Sequence, residues 1–279
     1  MIKCVAESCN LEVKSWKFPG GEVGVNVKSH PFMSDLGVGD VIVFASLTSS
    51  DDIMELMMVT DALKYKFNRA RFSLFIGYLP YGRQDRRCNE GDSFSLRVMG
   101  NLINSLNYET VHVIDQHSIV SEAVIERCVP ISQTNVFHLM YNEYVCHFDV
   151  DVIAAPDAGA LKKSEHIFKT TKVFKDLVCA NKVRDMETGN IIKYDFTGDV
   201  KGKTVVVVDD ICDGGATFLL LGKKLKEAGA QKIILCVTHG IFSAGTSKLT
   251  EIYDMVISSN SYHYDRIGCV DGVYYCKVF

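Results

Sequence analysis

The sequence has few of the features that mark a disordered, disulfide-linked or membrane-spanning chain. Among its 279 residues are only five prolines, and none of its ten cysteines forms a Cys-x-x-Cys pair. No apolar run approaches the roughly 18 residues of a membrane-spanning helix, and no apolar segment of signal-peptide length follows the first strand-like residues. We therefore expect a cytoplasmic protein with no membrane association, no structural zinc, and reduced cysteines that lie largely in the core.

An excess of positive charge is also missing. The 30 Lys and Arg residues are outnumbered by 34 Asp and Glu residues, which gives a net charge of −4. Domains that bind nucleic acid usually carry a basic face, so we expect no nucleic-acid partner. A small anionic substrate is not excluded by this charge, because a metal ion and a few backbone amides can hold phosphates.

Short apolar runs alternate with helical patterns along the chain. Strands are predicted at residues 41–44, 72–76, 110–114, 150–155, 205–208 and 232–238. Helices are predicted at residues 53–66, 96–106 and 218–228. This alternation predicts an α/β protein of mainly parallel sheets flanked by helices. The pattern restarts near residue 140, so we expect two domains, 1–140 and 141–279.

The most informative segment follows the apolar run 205–208. Its candidate binding residues are Asp209, Asp210, Asp213, Gly214, Gly215, Ala216 and Thr217. Backbone amides in such a turn, with the N-terminus of a helix behind them, favour an anion. The carboxylates suit a neighbouring vicinal diol, whose hydroxyls donate to them. A sugar phosphate meets both demands, and a polar connection without a ligand is the alternative.

This segment resembles the phosphoribosyl-diphosphate loop of type I phosphoribosyltransferases and of ribose-phosphate diphosphokinases. Four further motifs favour the second family, at residues 78–86, 115–118, 155–159 and 238–243. They occur in the family order and span nearly the whole chain, and simple phosphoribosyltransferases lack the first two. The chain thus resembles the ribose-phosphate diphosphokinase (phosphoribosyl diphosphate synthetase) family, which implies two tandem phosphoribosyltransferase-like domains.

The resemblance also implies a reaction and a set of ligands. The β,γ-diphosphate of ATP would be transferred to the anomeric hydroxyl of ribose 5-phosphate, with Mg²⁺ as cofactor. Arg83, Gln84 and Asp85 would contact ATP, and an arginine offers a planar fork for phosphate oxygens. His117 and Asp157 would anchor Mg²⁺ on the ATP phosphates. Each follows a predicted strand, where open α/β sheets bind ligands, although histidine alone is an unusual magnesium ligand.

Two further segments receive a role only through the resemblance. Lys182 and Arg184 lie in a polar stretch, 174–204, similar to a flexible catalytic loop whose two cations close over the transferring diphosphate; a solvated charge run is the alternative. Phe18 and Glu22 are similar to the ends of a loop that reaches the adenine of a neighbouring subunit, which implies a homo-oligomer. A plain β-turn is at least as good an interpretation of this second segment.

The chain departs from the family pattern at several positions. Gly214 stands where threonine usually follows the acid, and Ala216 stands where glycine is usual. Because two adjacent glycines let a bulkier group approach the backbone, ADP-ribose is an alternative acceptor with the same ribose 5-phosphate end. Lys163 is near a usual arginine and keeps its charge. The chain stops at Phe279, where relatives usually continue, so we expect altered oligomer contacts and an altered allosteric nucleotide site.

Two other classes of protein are less favoured. A phosphoribosyltransferase would consume the activated sugar, but the segment 83–85 and a whole extra α/β domain argue against it. A non-catalytic regulatory subunit is disfavoured because the candidate catalytic, metal-binding and acidic loop residues are all present.

Overall fold

The computed structural model describes residues 2–6, 9–28, 39–184 and 191–278, with the backbone alone for 181–184 and 191–194. The chain divides into two units, Met1–Ile131 and Ser132–Val278. Our boundary near residue 140 falls within the first helix of the second unit. Among the helices of the described ranges, none combines the length and the apolar character that crossing a bilayer requires.

The first unit is built on one seven-stranded sheet. Its strands are β1 (Ile2–Ala6), β2 (Cys9–Lys17), β3 (Val23–Lys28), β4 (Asp40–Ala45), β5 (Arg71–Ile76), β6 (Thr110–Ile114) and β7 (Cys128–Ile131). The strand order is β3-β2-β1-β4-β5-β6-β7. Strands β4 to β7 are parallel, and β1 to β3 add an antiparallel extension at one edge.

Within the described residues of the first unit, three α-helices accompany the sheet. They are α1 (Ser50–Lys66), α2 (Ser95–Ser105) and α3 (Val120–Val124). The start of α1 is fixed by a capping box, in which Ser49 Oγ accepts from Asp52 N and Asp52 Oδ2 accepts from Ser49 N. This exchange satisfies two amides at the helix entrance. From there α1 buries Leu56, Val59 and Leu63 in the core.

The second unit has an eight-stranded sheet. Its strands are β8 (Val152–Ala155), β9 (Asp176–Arg184), β10 (Ile191–Thr197), β11 (Thr204–Cys212), β12 (Lys232–Gly240), β13 (Met255–Ser259), β14 (Gly268–Val270) and β15 (Val273–Cys276). Its helices are α4 (Gln133–Glu143), α5 (Ala158–Thr171), α6 (Ala216–Glu227) and α7 (Ser247–Ile252), with a 3₁₀ turn at Val145–His147. The strand order is β10-β9-β8-β11-β12-β13-β15-β14, and pairing is antiparallel at the two edges only.

Strand β11 lies in the middle of this sheet. Residues 205–208 are four valines in succession, and all of them are buried. A continuous β-branched run is typical of a parallel strand that is covered on both faces. The predicted α/β class, with mainly parallel sheets flanked by helices, is confirmed, and each predicted strand and helix has a counterpart in the structure.

Two segments of the second unit extend beyond what the sequence predicted. No strand was predicted within the polar stretch 174–204, but most of its described part forms the antiparallel pair β9 and β10. In a hairpin at the edge of a sheet, strand pairing satisfies the backbone hydrogen bonds, and many side chains face water. Such a hairpin therefore needs no regular spacing of apolar residues. Strand β11 was also expected to end before Asp209, but its pairing with β12 continues as far as Cys212 and Gly240.

The ten cysteines are all thiols outside disulfides. Cys4, Cys212, Cys236 and Cys276 are buried, which confirms the expected core thiols for this group, whereas Cys9 and three others are exposed. Burial raises the pKa of Cys4 and of Cys212 to about 12. These two side chains therefore behave as small apolar groups at neutral pH.

Candidate active site

The predicted functional residues cluster at the carboxyl ends of the parallel strands within each unit. In the second unit, Asp157 follows β8 and the acidic loop follows from β11. In the first unit, the Arg83 segment follows β5 and His117 follows β6. This edge is where open α/β sheets bind ligands.

The turn between β11 and α6 has the backbone of an anion site. Gly215 is the N-cap of α6 with a φ of 79°, a left-handed conformation that costs other residues free energy. The helix begins with the bond from Leu219 N to Gly215 O, at 2.9 Å. The N-cap has no side chain that could accept from the first amides of α6. Those amides carry the positive end of the helix dipole, which favours an anion at this position.

The first two acids of the loop lie on opposite faces of β11, because successive strand residues alternate. Asp210 is buried, and its Oδ2 accepts from Lys163 Nζ of α5 at 3.2 Å. Asp209 lies on the other face, where its Oδ1 accepts from Asp210 N at 2.8 Å. Asp210, predicted as an acceptor-binding residue, is thus paired with a cation of the protein itself.

The carboxylates at this strand end repel one another. Burial raises the pKa of Asp209 well above its ordinary value, and the nearby charges of Asp210 and Asp157 raise it further. A bound cation or hydroxyl donors from a ligand would offset that repulsion. The crowding is therefore consistent with a site that is completed by its ligands.

Asp157 has a structural contact as well. It is the N-cap of α5, and its Oδ1 accepts from Gly159 N at 2.9 Å and from Ala160 N at 3.2 Å. Within the described part of the chain, no three His, Cys, Asp or Glu side chains come together as a complete metal cage. Magnesium is usually held by one or two carboxylates together with water and substrate phosphates. The neighbouring carboxylates of Asp157 and Asp209 fit that mode of binding.

In the first unit, the predicted ATP-contacting residues share one cavity with the predicted metal ligand. The cavity measures about 500 Å³ and is lined by Arg83, Gln84, Asp85 and His117, among others. Arg83, Gln84 and His117 are exposed, and Asp85 is half-buried. An arginine and a glutamine beside an imidazole suit a polyphosphate, because they offer several hydrogen-bond donors.

Asp85 is held by its neighbours. Arg86 donates to both of its oxygens, and this interaction, with help from Ser118 and the charge of His117, lowers the pKa of Asp85 to about 2. The carboxylate is therefore ionised at neutral pH. Arg86 was part of the sequence motif but was not among the predicted site residues.

A second carboxylate of this loop, Asp92, was not found from the sequence. Its Oδ2 accepts from Cys88 N at 3.1 Å, from Asn89 N at 2.7 Å and from Asn89 Nδ2 at 3.2 Å. These bonds close the loop that forms one wall of the cavity. The run Asn89-Glu90-Gly91-Asp92 could have indicated this turn, because asparagine, glycine and aspartate together are typical of tight turns.

Three non-glycine residues with left-handed backbone lie in the candidate segments. They are Tyr81 at φ 64°, Asp115 at φ 38° and Phe242 at φ 52°. Each follows the end of a strand, β5, β6 or β12. Residues held in sparsely populated conformations are found preferentially at functional sites.

The remaining predicted residues lie in two antiparallel hairpins. Phe18 and Glu22 close the tip between β2 and β3, where Phe18 N donates to Glu22 O at 2.9 Å. Phe18 is 49% exposed and contacts Trp16 edge to face, with ring centroids 5.8 Å apart. Lys182 and Arg184 lie on β9, and their side chains are outside the described residues.

Comparison with known proteins defines the class and then the family. Residues 132–274 match the phosphoribosyl transferase domain, and residues 3–106 match the N-terminal domain of ribose phosphate pyrophosphokinase. The fold and the acidic loop are thus those of a phosphoribosyltransferase-type protein with a second, related domain.

Individual relatives are similar over most of the chain. The ribose-phosphate pyrophosphokinase of Campylobacter jejuni is 30% identical over 230 residues, which cover 81% of this chain and 71% of the relative. That of Pyrococcus furiosus is 28% identical over 93% of this chain and 88% of its own length. The crystal structure of phosphoribosylpyrophosphate synthetase from Mycobacterium smegmatis has a similar fold, with a TM-score of 0.78 at 22% identity, over 98% of this chain and 88% of that one.

The chain belongs to the ribose-phosphate pyrophosphokinase family. This membership confirms the family resemblance of the sequence motifs and the predicted class of enzyme, an ATP-dependent diphosphokinase.

Proposed function

We propose that the protein transfers the β,γ-diphosphate of ATP to the C1 hydroxyl of ribose 5-phosphate and releases AMP. Relatives named ribose-phosphate pyrophosphokinase support the type of reaction. The observation that carries the proposal is the loop from Asp209 to Thr217. It joins carboxylates at a strand end to the N-terminus of a 12-residue helix through a left-handed glycine.

Each end of the sugar phosphate has a matching group in this loop. The 5-phosphate accepts from the amides at the start of α6, because they point outward from the helix and carry partial positive charge. The ribose hydroxyls donate to the carboxylates of Asp209 and Asp213. Asp210 acts from the opposite face of β11, where its bond to Lys163 holds the strand end against α5.

On the nucleotide side, Arg83 and Gln84 bind phosphate oxygens of ATP in the cavity of the first unit. Asp85 keeps its charge through Arg86 and holds the loop in place. Phe18 and Glu22 bind the adenine of an ATP held by a neighbouring subunit of a homo-oligomer. The exposure of Phe18 at a hairpin tip supports that role.

Magnesium is the proposed cofactor, and when bound it neutralises phosphate oxygens and orients the diphosphate. Asp157 and His117 are its proposed protein ligands. The carboxylate of Asp157 is kept in position by the amides of Gly159 and Ala160. Because the Asp157 carboxylate is already held in place, less free energy is needed to orient it when the metal binds.

The transfer needs no covalent enzyme intermediate. The anomeric hydroxyl oxygen attacks the β-phosphorus of ATP and its proton passes to water, while the bond from that phosphorus to the bridging oxygen of AMP breaks and AMP leaves. Catalysis then rests on positioning and on neutralisation of charge. Lys182 and Arg184 on β9 are proposed to supply positive charge to the transferring diphosphate.

ADP-ribose is a second candidate acceptor, and one observation favours it. A Cβ atom placed on Gly214 would make an ordinary van der Waals contact with Ser243 Oγ at 3.9 Å, so there is room for a small group beside the backbone at this point. A larger substituent on the sugar phosphate could therefore pass close to the backbone. ADP-ribose offers the same ribose 5-phosphate end to the loop.

The test is formation of AMP from ATP and Mg²⁺ with ribose 5-phosphate, with ADP-ribose, or with no acceptor. We expect AMP only when an acceptor is present, together with a diphosphorylated sugar detected by mass spectrometry. Lys182→Ala should lower kcat by roughly 10²–10³-fold, whereas Lys226→Ala, an exposed lysine in the last turn of α6, should not. No AMP with either acceptor would overturn the proposal.

A further inference from the structure

We infer that Ser243 is a positioning residue for the acceptor: its hydroxyl fixes the carboxylate of Asp213 in the orientation that holds the sugar. This inference rests on the proposed function. Ser243 follows β12, whereas Asp213 follows β11, so the contact joins two loops at the ends of adjacent parallel strands.

The contact itself is short. Ser243 Oγ donates to Asp213 Oδ1 at 2.6 Å, a distance typical of a hydroxyl bound to an ionised carboxylate. With Oδ1 bound in this way, rotation of the carboxylate about its last side-chain torsion is restricted. A ligand hydroxyl then meets an acceptor whose orientation is already set, which lowers the entropic cost of binding.

The loop that carries Ser243 is fixed to the end of β11. Ile241 N and Phe242 N both donate to Cys212 O, at 2.9 and 3.1 Å, next to Asp213 in the chain. Gly240 N donates to Ser258 Oγ at 3.0 Å. The two residues before Ser243 are thus bound to the end of β11, and Gly240 is bound to β13. These bonds hold Ser243 next to Asp213.

The packing of this loop leaves it little alternative conformation. A Cβ atom on Gly240 would lie 2.6 Å from Ser258 Oγ and would also collide with the ring of Phe242. Phe242 is 7% exposed and has a left-handed backbone, φ 52°, which persists only when surrounding contacts impose it. The strained backbone of Phe242 therefore directly precedes Ser243, the residue that contacts Asp213.

Ser243 also places its hydroxyl beside Gly214, a position without a side chain in the loop from Asp209 to Thr217. Its Oγ lies 3.9 Å from the Cβ position of Gly214. One serine can therefore orient the acid and present a polar group at the opening of the loop. Both effects act on the acceptor and neither acts on ATP.

The experiment compares Ser243→Ala, Ser243→Thr and the matched control Ser247→Ala, an exposed serine four residues along the same segment. AMP formation gives kcat and the KM of each substrate. We expect Ser243→Ala to raise KM for ribose 5-phosphate about tenfold, with KM for ATP and kcat within twofold of wild type. Ser243→Thr keeps a hydroxyl and should have a KM near that of wild type, and Ser247→Ala should leave KM unchanged.

A double-mutant cycle separates this role from a general structural one. In Asp213→Asn protein, Ser243→Ala should have little additional effect on KM, because the bond it removes acts through Asp213. An unchanged KM in Ser243→Ala, equal rises for both substrates, or full additivity in the cycle overturns the inference.

Calorimetric titration with ribose 5-phosphate gives a readout that needs no turnover. We expect the dissociation constant of Ser243→Ala to be about tenfold higher than that of wild type. Equal constants, or no binding by the wild-type protein, overturn the inference. Binding without formation of AMP counts against the proposed function alone.

Discussion

Arg86 donates two hydrogen bonds to the carboxylate of Asp85, at 2.8 Å from Nε and 3.0 Å from Nη2. The guanidinium is largely exposed, whereas only 11% of the carboxylate side chain is exposed. The pair lies on the wall of the cavity of the first unit, so we expect loss of the charge of Asp85 to change stability and, under the proposed function, ATP binding.

The lowered pKa of Asp85 predicts a pH dependence of stability. The folded-state pKa is about 2, below the ordinary value of about 3.9 for an unfolded aspartate. The stabilisation from this carboxylate is therefore present above about pH 4 and is lost as the pH falls towards about 2. We expect the free energy of unfolding to fall more steeply for wild type than for Asp85→Asn between about pH 4 and pH 2. Urea unfolding at several pH values measures this, and parallel curves would contradict it.

Removal of Lys163 should leave Asp210 buried without its cation. We expect Lys163→Met to lower the free energy of unfolding by about 1–3 kcal/mol, less than for a fully buried pair because Lys163 is partly exposed. Lys163→Arg keeps the charge and should cost less. The double variant Lys163→Met with Asp210→Asn should recover part of the loss in urea unfolding. Strict additivity of the two single changes would show that the pair does not interact.

A side chain at Gly215 should affect stability and binding together. The left-handed backbone should make Gly215→Ala about 1–2 kcal/mol less stable. Gly202→Ala is the matched control, because Gly202 has a φ of 70° and open space around it but lies at the opposite end of β11. Thermal unfolding should show similar losses for both. Only Gly215→Ala should raise KM for the acceptor, and an equal rise in the control would exclude a specific role for the turn.

Asp92 should be needed to order residues 88–92, whose two ends, Cys88 and Asp92, line the cavity of the first unit. Asp92→Ala removes the acceptor of two backbone bonds, from Cys88 N and Asn89 N, so we expect KM for ATP to rise roughly five- to tenfold while KM for the acceptor stays the same. Asp92→Asn keeps an acceptor oxygen and should be intermediate. Glu90→Ala, an exposed neighbour in the same turn, should match wild type. Steady-state kinetics with varied ATP provides the comparison.

The parts of the fold that sequence reasoning found are those with strong local patterns. The valines at 205–208 and the capped helix that begins after Ser49 are defined by their own residues. The hairpins β2–β3 and β9–β10 were missed because exposed paired strands have no apolar run. The length of β11 was underestimated because pairing with β12, and not local preference, carries the strand through Asp209.

In the candidate site too, residues adjacent in sequence could be predicted, whereas contacts between residues distant in sequence could not. The loop from Asp209 to Thr217 was found because its acids and glycines are adjacent in the sequence. The partners of those acids were not, because Lys163 and Ser243 are 47 and 30 residues away from the carboxylates they contact. Such pairings depend on which helix and which loop the sheet brings to the strand end.

The left-handed backbones of Tyr81, Asp115 and Phe242 bear on how this protein could be engineered. Glycine adopts such angles with little strain, so a change to glycine at the exposed Tyr81 would relieve backbone strain, whereas at the buried Phe242 the lost packing would outweigh that gain. The same exchange would loosen a loop that the candidate site depends on. Selection for thermal stability should therefore leave these three positions unchanged. Substitutions at the edge strands of each sheet, away from the candidate site, are the better targets.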